Sequence, residues 1–161
     1  MKKQAGTWFG EKVEADGYTF DSKKEFQFYE KFIKDSGHPF QVHQPFTLHE
    51  AIELVDGAVK IRSSRYTPDF IVYGNDDKPA HVYDLKNSFT SFAIDQAAAL
   101  RFKWFEKEYG IPVEVVVPRA NSFKVKIMGT TKKFEPVVVE NVDYTIEELV
   151  EKAGFKPSNF D

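Results

Sequence analysis

Three residues in one short stretch have the types and spacing for metal and acid–base chemistry. They are Asp69, Asp84 and Lys86, in RYTPDFIVYGNDDKPAHVYDLK from Arg65 to Lys86. Phe70 to Tyr73 and His81 to Tyr83 are apolar runs. Between them, residues 74–79 are rich in Gly, Asn and Asp, which tolerate left-handed backbone, so the stretch reads as a β-hairpin. Antiparallel pairing then sets Asp69, at the start of the first strand, beside Asp84 at the end of the second. Side chains alternate along a strand, so Lys86 emerges on the same face as Asp84. Two carboxylates and an ammonium at one strand end can hold a divalent cation and supply a general base. The plain alternative makes Asp84 and Lys86 a same-face pair and Asp69 a turn cap.

The rest of the chain must position that stretch. It has 161 residues, 42% hydrophobic and 16% aromatic, which suits one core and one domain. Cysteine is absent, so disulfides and thiolate zinc sites are excluded, and an intracellular, cytoplasmic address is the expectation. No apolar run approaches a membrane span and the start lacks a signal-peptide core, so no membrane partner is expected. The net charge of −3 argues against binding nucleic acid by bulk basicity alone, though local Lys and Arg clusters can still track phosphates.

Residues 1–13, with Lys2 and Lys3, read as a flexible N-terminal arm. Asp16-Gly17 marks a small hairpin before a helix that Asp21 or Ser22 caps and that runs to about Lys34. Phe28, Tyr29, Phe32 and Ile33 define its buried face, and Glu25 lies on or beside it. Glu25 is either a site carboxylate or, through Ser22-x-x-Glu25, half of a capping box. A loosely alternating segment from Phe40 to Leu54 follows as the first core strand, with His43 and His49 as ordinary strand histidines. Val59 to Arg62 leads into Tyr66, and Arg62 and Arg65 suit phosphate contacts. Ser91 is the expected cap of a helix from Phe92 to Tyr109 whose apolar stripe is Ala93, Ala97, Leu100, Trp104 and Phe105; Arg101 reads as surface charge. Residues 112–117 form a buried strand, Phe123 to Ile127 and Phe134 to Glu140 an appended hairpin with Lys124 and Lys126 exposed, and Thr145 opens a short last helix.

The ordered set of helix Glu25, Pro68-Asp69-Phe70, hairpin and Asp84-Leu85-Lys86 resembles the PD-(D/E)XK nuclease superfamily. Within it, the runs DGYTFDSKKEF and HQPFTL resemble small phage and prophage endonucleases, Holliday-junction resolvases among them. The resemblance implies an α/β, restriction-endonuclease-like core over residues 14–118, with a central mixed β-sheet flanked by helices in the order αβββαβ. Residues 119–161 would then be a C-terminal hairpin and helix packed on that core. It implies Glu25, Asp69, Asp84 and Lys86 as catalytic residues. Asp69, Asp84, the Leu85 carbonyl and Glu25 would be ligands for Mg²⁺ or Mn²⁺, with Lys86 orienting water or steadying charge on phosphate. Lys24, Arg62 and Arg65 would meet DNA, and Gln96 or Lys103 would reach the site from the second long helix. Asp84 stands where many relatives carry Glu, and Asn87 where Gly often follows the Lys.

The expected function is metal-dependent hydrolysis of DNA phosphodiester bonds, selective for branched DNA, leaving 5′-phosphate and 3′-hydroxyl ends. The setting would be the cytoplasm of a phage-infected or lysogenic host. A homodimer is expected, since symmetric cutting of a junction needs two sites. Two alternatives stay open: a transposase-like end-cleaving endonuclease, and a non-catalytic nucleic-acid-binding protein on a nuclease fold.

Overall fold

The computed structural model describes residues 11–156. Of the expected N-terminal arm, only residues 11–13 fall among these, and Lys2 and Lys3 lie outside them. The first described element is a tight hairpin, β1 (Val13–Ala15) and β2 (Tyr18–Phe20), in which Ala15 pairs with Tyr18. Its two-residue turn places Asp16 at φ 53° and Gly17 at φ 84°, the left-handed pair that matches strand twist.

Ser22 caps α1 (Lys23–Phe28), its Oγ accepting from the Glu25 N–H at 3.1 Å. The helix continues as a π-helical turn, Tyr29–Ile33, and buries Phe28, Tyr29, Phe32 and Ile33 as their spacing predicts.

The main sheet has six strands in the order β12 (Val137–Val139), β11 (Phe123–Lys126), β10 (Glu114–Pro118), β9 (Pro79–Leu85), β8 (Phe70–Tyr73) and β3 (Phe40–Val42). It contains the expected hairpin of β8 (Phe70–Tyr73) and β9 (Pro79–Leu85), with Phe70 opposite Tyr83. Strand β3 (Phe40–Val42) lines one side of β8 antiparallel, and β10 (Glu114–Pro118) lies parallel to β9 on the other. A parallel neighbour needs a crossover, which α2 (Gln96–Tyr109) supplies. Beyond β10 the sheet runs on into β11 (Phe123–Lys126) and β12 (Val137–Val139), so the C-terminal hairpin extends the central sheet. A last helix, α3 (Ile146–Lys152), is capped by Thr145, and its Leu149 is buried in the same core. Among the described residues this is a mixed α/β arrangement of three helices, one six-stranded sheet and small two-stranded ribbons.

Period-two alternation divides the sheet's side chains between two cores. Phe70, Tyr83, Val116 and Phe123 meet Phe20, Phe28 and Tyr29 on the α1 side, while Val82 and Val115 meet Phe102 and Phe105 on the α2 side. Each such buried aromatic contributes about 1.5–3 kcal/mol.

Between β3 and β8 the chain is more broken than the two expected strands, Phe40 to Leu54 and Val59 into Tyr66, though it turns between them as Asp56-Gly57 suggests. It folds as an arm in which β4 (Phe46–His49) pairs with β7 (Ser64–Tyr66), and further out β5 (Ile52–Leu54) pairs with β6 (Val59–Ile61). His43 is not a strand residue: the chain turns there at φ 54°. The arm's base packs on α2 through Phe46 and Tyr66, both edge-on to Phe105.

Helix α2 also departs from expectation. Asp95, not Ser91, is its cap, with Oδ1 accepting from Ala98 N–H at 2.7 Å. Residues 90–94 form a separate turn through Ile94 N–H to the Thr90 carbonyl, which leaves Phe92 98% exposed. The buried stripe is Ala98, Phe102 and Phe105, and Leu100 faces outward at 62% exposure. Two interleaved stripes satisfy helical spacing, and the one with two phenylalanines removes more apolar surface from water. No described helix is long and apolar enough to cross a membrane.

Candidate active site

The β8–β9 register carries the site. With Phe70 opposite Tyr83, the next pair outward is Asp69 and Asp84, at the strand ends where the sequence places them. Each carboxylate has a fixed partner. Asp69 Oδ2 accepts from the Leu85 N–H at 2.7 Å, and Asp84 Oδ2 accepts from the Tyr66 hydroxyl at 2.7 Å. Lys86 follows on the Asp84 face, its Nζ 3.2 Å from Asp84 Oδ1, and its backbone N–H is tied to the Val116 carbonyl. Burial, aided by the neighbouring Asp84 charge, pushes the Tyr66 hydroxyl well above its usual pKa, so it remains a donor to Asp84.

Helix α1 delivers Glu25 to the same place. Ser22 caps the helix through the Glu25 N–H, but the Glu25 side chain turns away towards His43 and does not close a capping box with Ser22. Glu25 is 4% exposed.

His43 arrives by sheet pairing. Val42 pairs with Phe70, so the next residue of the chain comes beside Asp69, and the His43 N–H donates to the Asp69 carbonyl at 3.1 Å. Its Nε2 then stands 2.6 Å from Glu25 Oε1, 3.7 Å from Asp21 Oδ2 and 3.8 Å from Asp69 Oδ1. The Glu25 contact is short but not aligned as a hydrogen bond, and both Glu25 Oε1 and His43 Nε2 are buried without a directed partner. The Glu25 carboxylate raises the His43 pKa against the opposing effect of burial. Ligand-capable atoms of Asp21, Glu25, His43 and Asp69 all lie within 4.8 Å of one another.

Electrostatically the centre is under strain. Burial first, then the charges of Asp84 and Glu25, push the Asp69 carboxyl well above the usual range, with the Leu85 N–H only partly offsetting them. Carboxylates packed this closely are the donor set that a hard dication relieves, so the residues fit a Mg²⁺ or Mn²⁺ centre.

The carboxylates of Asp21, Glu25, Asp69 and Asp84 line an open cleft of about 1070 Å³, and His43 stands behind them, outside its lining. Glu25, Asp69, Asp84, Leu85 and Lys86 all border it, as do Lys24 and Arg65. Lys24 Nζ donates to Asn87 Oδ1 at 3.0 Å, which ties α1 to the chain leaving β9. Three of the expected DNA contacts do not border the cleft. Arg62 is exposed on the arm between β6 and β7, and Gln96 is exposed at the start of α2. Lys103 leans over Gly129, where its Cε would lie 2.7 Å from an added Cβ. Arg101 borders the cleft instead, on the α2 turn before Phe102. The corrections on α2, at Gln96, Arg101 and Lys103, share one cause, since the helix is rotated about its axis relative to the expected stripe, whereas Arg62 is carried away by the arm. His43, Asp21, Tyr66 and Arg101 are therefore the site residues missed by sequence reasoning. Only Tyr66, three residues before Asp69, carried a local signal.

Residues 6–124 match the profile of a family described as protein of unknown function (DUF1064). No curated protein and no solved structure matches the chain. The chain belongs to the DUF1064 family.

Proposed function

We propose that this DUF1064 member is a divalent-cation-dependent DNA endonuclease of PD-(D/E)XK type, selective for branched DNA such as a four-way junction. One observation carries the reading: Glu25, Asp69, Asp84 and Lys86 come from a helix and two strand ends and border one open cleft. The order of main-sheet elements supports it, with α1, three antiparallel strands, α2 and a parallel strand in succession.

In this reading Asp69, Asp84, the Leu85 carbonyl and Glu25 hold Mg²⁺ or Mn²⁺. Such a cation neutralises charge on the phosphate and lowers the pKa of the attacking water. The chain's own groups do the positioning. Tyr66 fixes one oxygen of Asp84 and Leu85 N–H fixes one of Asp69, which holds both carboxylates in place at the cleft. Lys86, 28% exposed and anchored by Asp84, orients the attacking water or donates to the phosphate oxygen as its charge grows. Lys24, Arg65 and Arg101 hold the DNA backbone along the cleft walls. A C2 dimer would supply the two sites that symmetric junction cutting needs, and sedimentation of the free and junction-bound chain distinguishes it from a monomer.

The test is cleavage of labelled four-way junction, flap, duplex and single-stranded DNA with Mg²⁺ or Mn²⁺. Wild type should cut in a metal-dependent way with the junction preferred, and Asp84→Ala should lose at least about 10²-fold in rate. Binding without cutting in either metal would overturn the enzyme reading in favour of a non-catalytic binder.

A further inference from the structure

We propose that the cleft also contains a cation position with a nitrogen ligand, formed by Glu25, His43, Asp69 and Asp21, which selects a first-row transition dication over Mg²⁺. This deepens the nuclease reading by naming the metal class of a second position in the same cleft, and the binding it describes requires no cleavage.

Geometry defines the position. The His43 ring nitrogen is the hub, with carboxylate oxygens of Glu25, Asp21 and Asp69 at 2.6, 3.7 and 3.8 Å. An acidic cluster alone would mean little, but Glu25 is 4% exposed and its Oε1 points into the cluster without a directed hydrogen bond. Leaving a buried carboxylate oxygen in that state costs free energy that a ligand recovers. His43 Nε2 is in the same condition. Its backbone is at φ 54°, uncommon for a non-glycine residue, and it is held there by the hydrogen bond to the Asp69 carbonyl. Imidazole and carboxylate are thus presented together by the β3–β8 pairing.

The donor set decides the ion. Mg²⁺ keeps its waters and prefers oxygen, whereas first-row transition dications bind imidazole nitrogen with rising affinity from Mn²⁺ towards Cu²⁺. The Asp69–Asp84 side of the cleft offers only oxygen and discriminates little between Mg²⁺ and Mn²⁺. Asp69 can serve both positions through different atoms, since Oδ1 is the one near His43 and Oδ2 the one held by Leu85.

The test uses the metal-stripped full chain, with free Mn²⁺ measured by electron paramagnetic resonance and Mg²⁺ as competitor. His43→Asn keeps a residue type that tolerates left-handed backbone while removing the ring. It should weaken Mn²⁺ binding about 10- to 100-fold, while Mg²⁺ binds as it does to wild type. Asp84→Ala should retain the His43-dependent Mn²⁺ position. Unchanged Mn²⁺ affinity in His43→Asn, or equal losses for both ions, would overturn the inference. Thermal unfolding checks that the variant is folded, and His43→Gly, suited to the same φ, serves if it is not. A chain that cuts DNA without a His43-dependent preference refutes this inference alone, and one that keeps the preference but cuts nothing refutes the nuclease alone.

Discussion

The His81–Glu114 and Glu25–His43 pairs each set an imidazole against a buried carboxylate, at 2.7 and 2.6 Å. Their surroundings differ in every other respect. His81 Nδ1 meets Glu114 Oε2, His81 Nε2 donates to the Tyr144 carbonyl at 2.8 Å, and the Tyr144 hydroxyl donates to Glu114 Oε1 at 2.6 Å. The Tyr83 hydroxyl closes the network on Tyr144. Every polar atom named there has a partner, and the network joins β9 and β10 to the loop before α3. At Glu25 and His43 the facing atoms lack directed bonds, two further carboxylates crowd in, and the group opens on a cleft. A fully bonded buried charge acts as architecture, and a half-bonded one beside solvent is a place for a ligand.

The sharpest way to break this contrast is to remove one carboxylate from each pair. Glu114→Ala should lose about 3–5 kcal/mol of stability in urea titrations, because it strands a buried imidazole nitrogen and the Tyr144 hydroxyl. Glu25→Ala in EDTA should cost less than about 1 kcal/mol or stabilise, since it relieves repulsion on Asp69. Equal losses would erase the distinction.

Cation linkage sharpens it next. Mn²⁺ at 100 times its dissociation constant should raise wild-type stability by about 2.7 kcal/mol, measured by thermal unfolding, and should do nothing for Asp69→Ala.

A smaller effect is expected with pH. Asp69 has a folded pKa raised above its unfolded value, so between the two the folded chain binds more protons than the unfolded one. Stability of the metal-free chain therefore falls as pH rises from about 4 through that window. His43, also raised, adds the same sign above its ordinary value of 6.5. Asp69→Asn should flatten the acid-side part of this slope; an unchanged profile would contradict the assigned repulsion.

Smallest is the effect of single cleft-wall cations. Arg65→Ala and Arg101→Ala should each reduce the salt dependence of junction binding by about 0.9 in log–log slope, while Arg62→Ala and Lys103→Ala should leave it unchanged.

What could be read in the sequence follows the reach of local rules. The Asp69–Asp84 opposition came from a hairpin, where turn residues and alternation fix the register within twenty residues. The Ser22 cap and the aromatic face of α1 were equally local. His43 was not legible, because its neighbour is set by β3 pairing with β8 across the inserted arm. Arg101 and Lys103 exchanged places because α2 carries two possible stripes, and only packing of Phe102 and Phe105 on Tyr66 and Phe46 chooses between them.

The most direct measurement is anomalous diffraction from crystals of the chain soaked in Mn²⁺. A peak bounded by Glu25, Asp69 and the neighbouring cleft residues, absent from Asp69→Ala crystals, is the predicted result. Saturating Mn²⁺ with no peak in the cleft, and Glu25 still against His43, would contradict the account that this buried charge is kept for a cation.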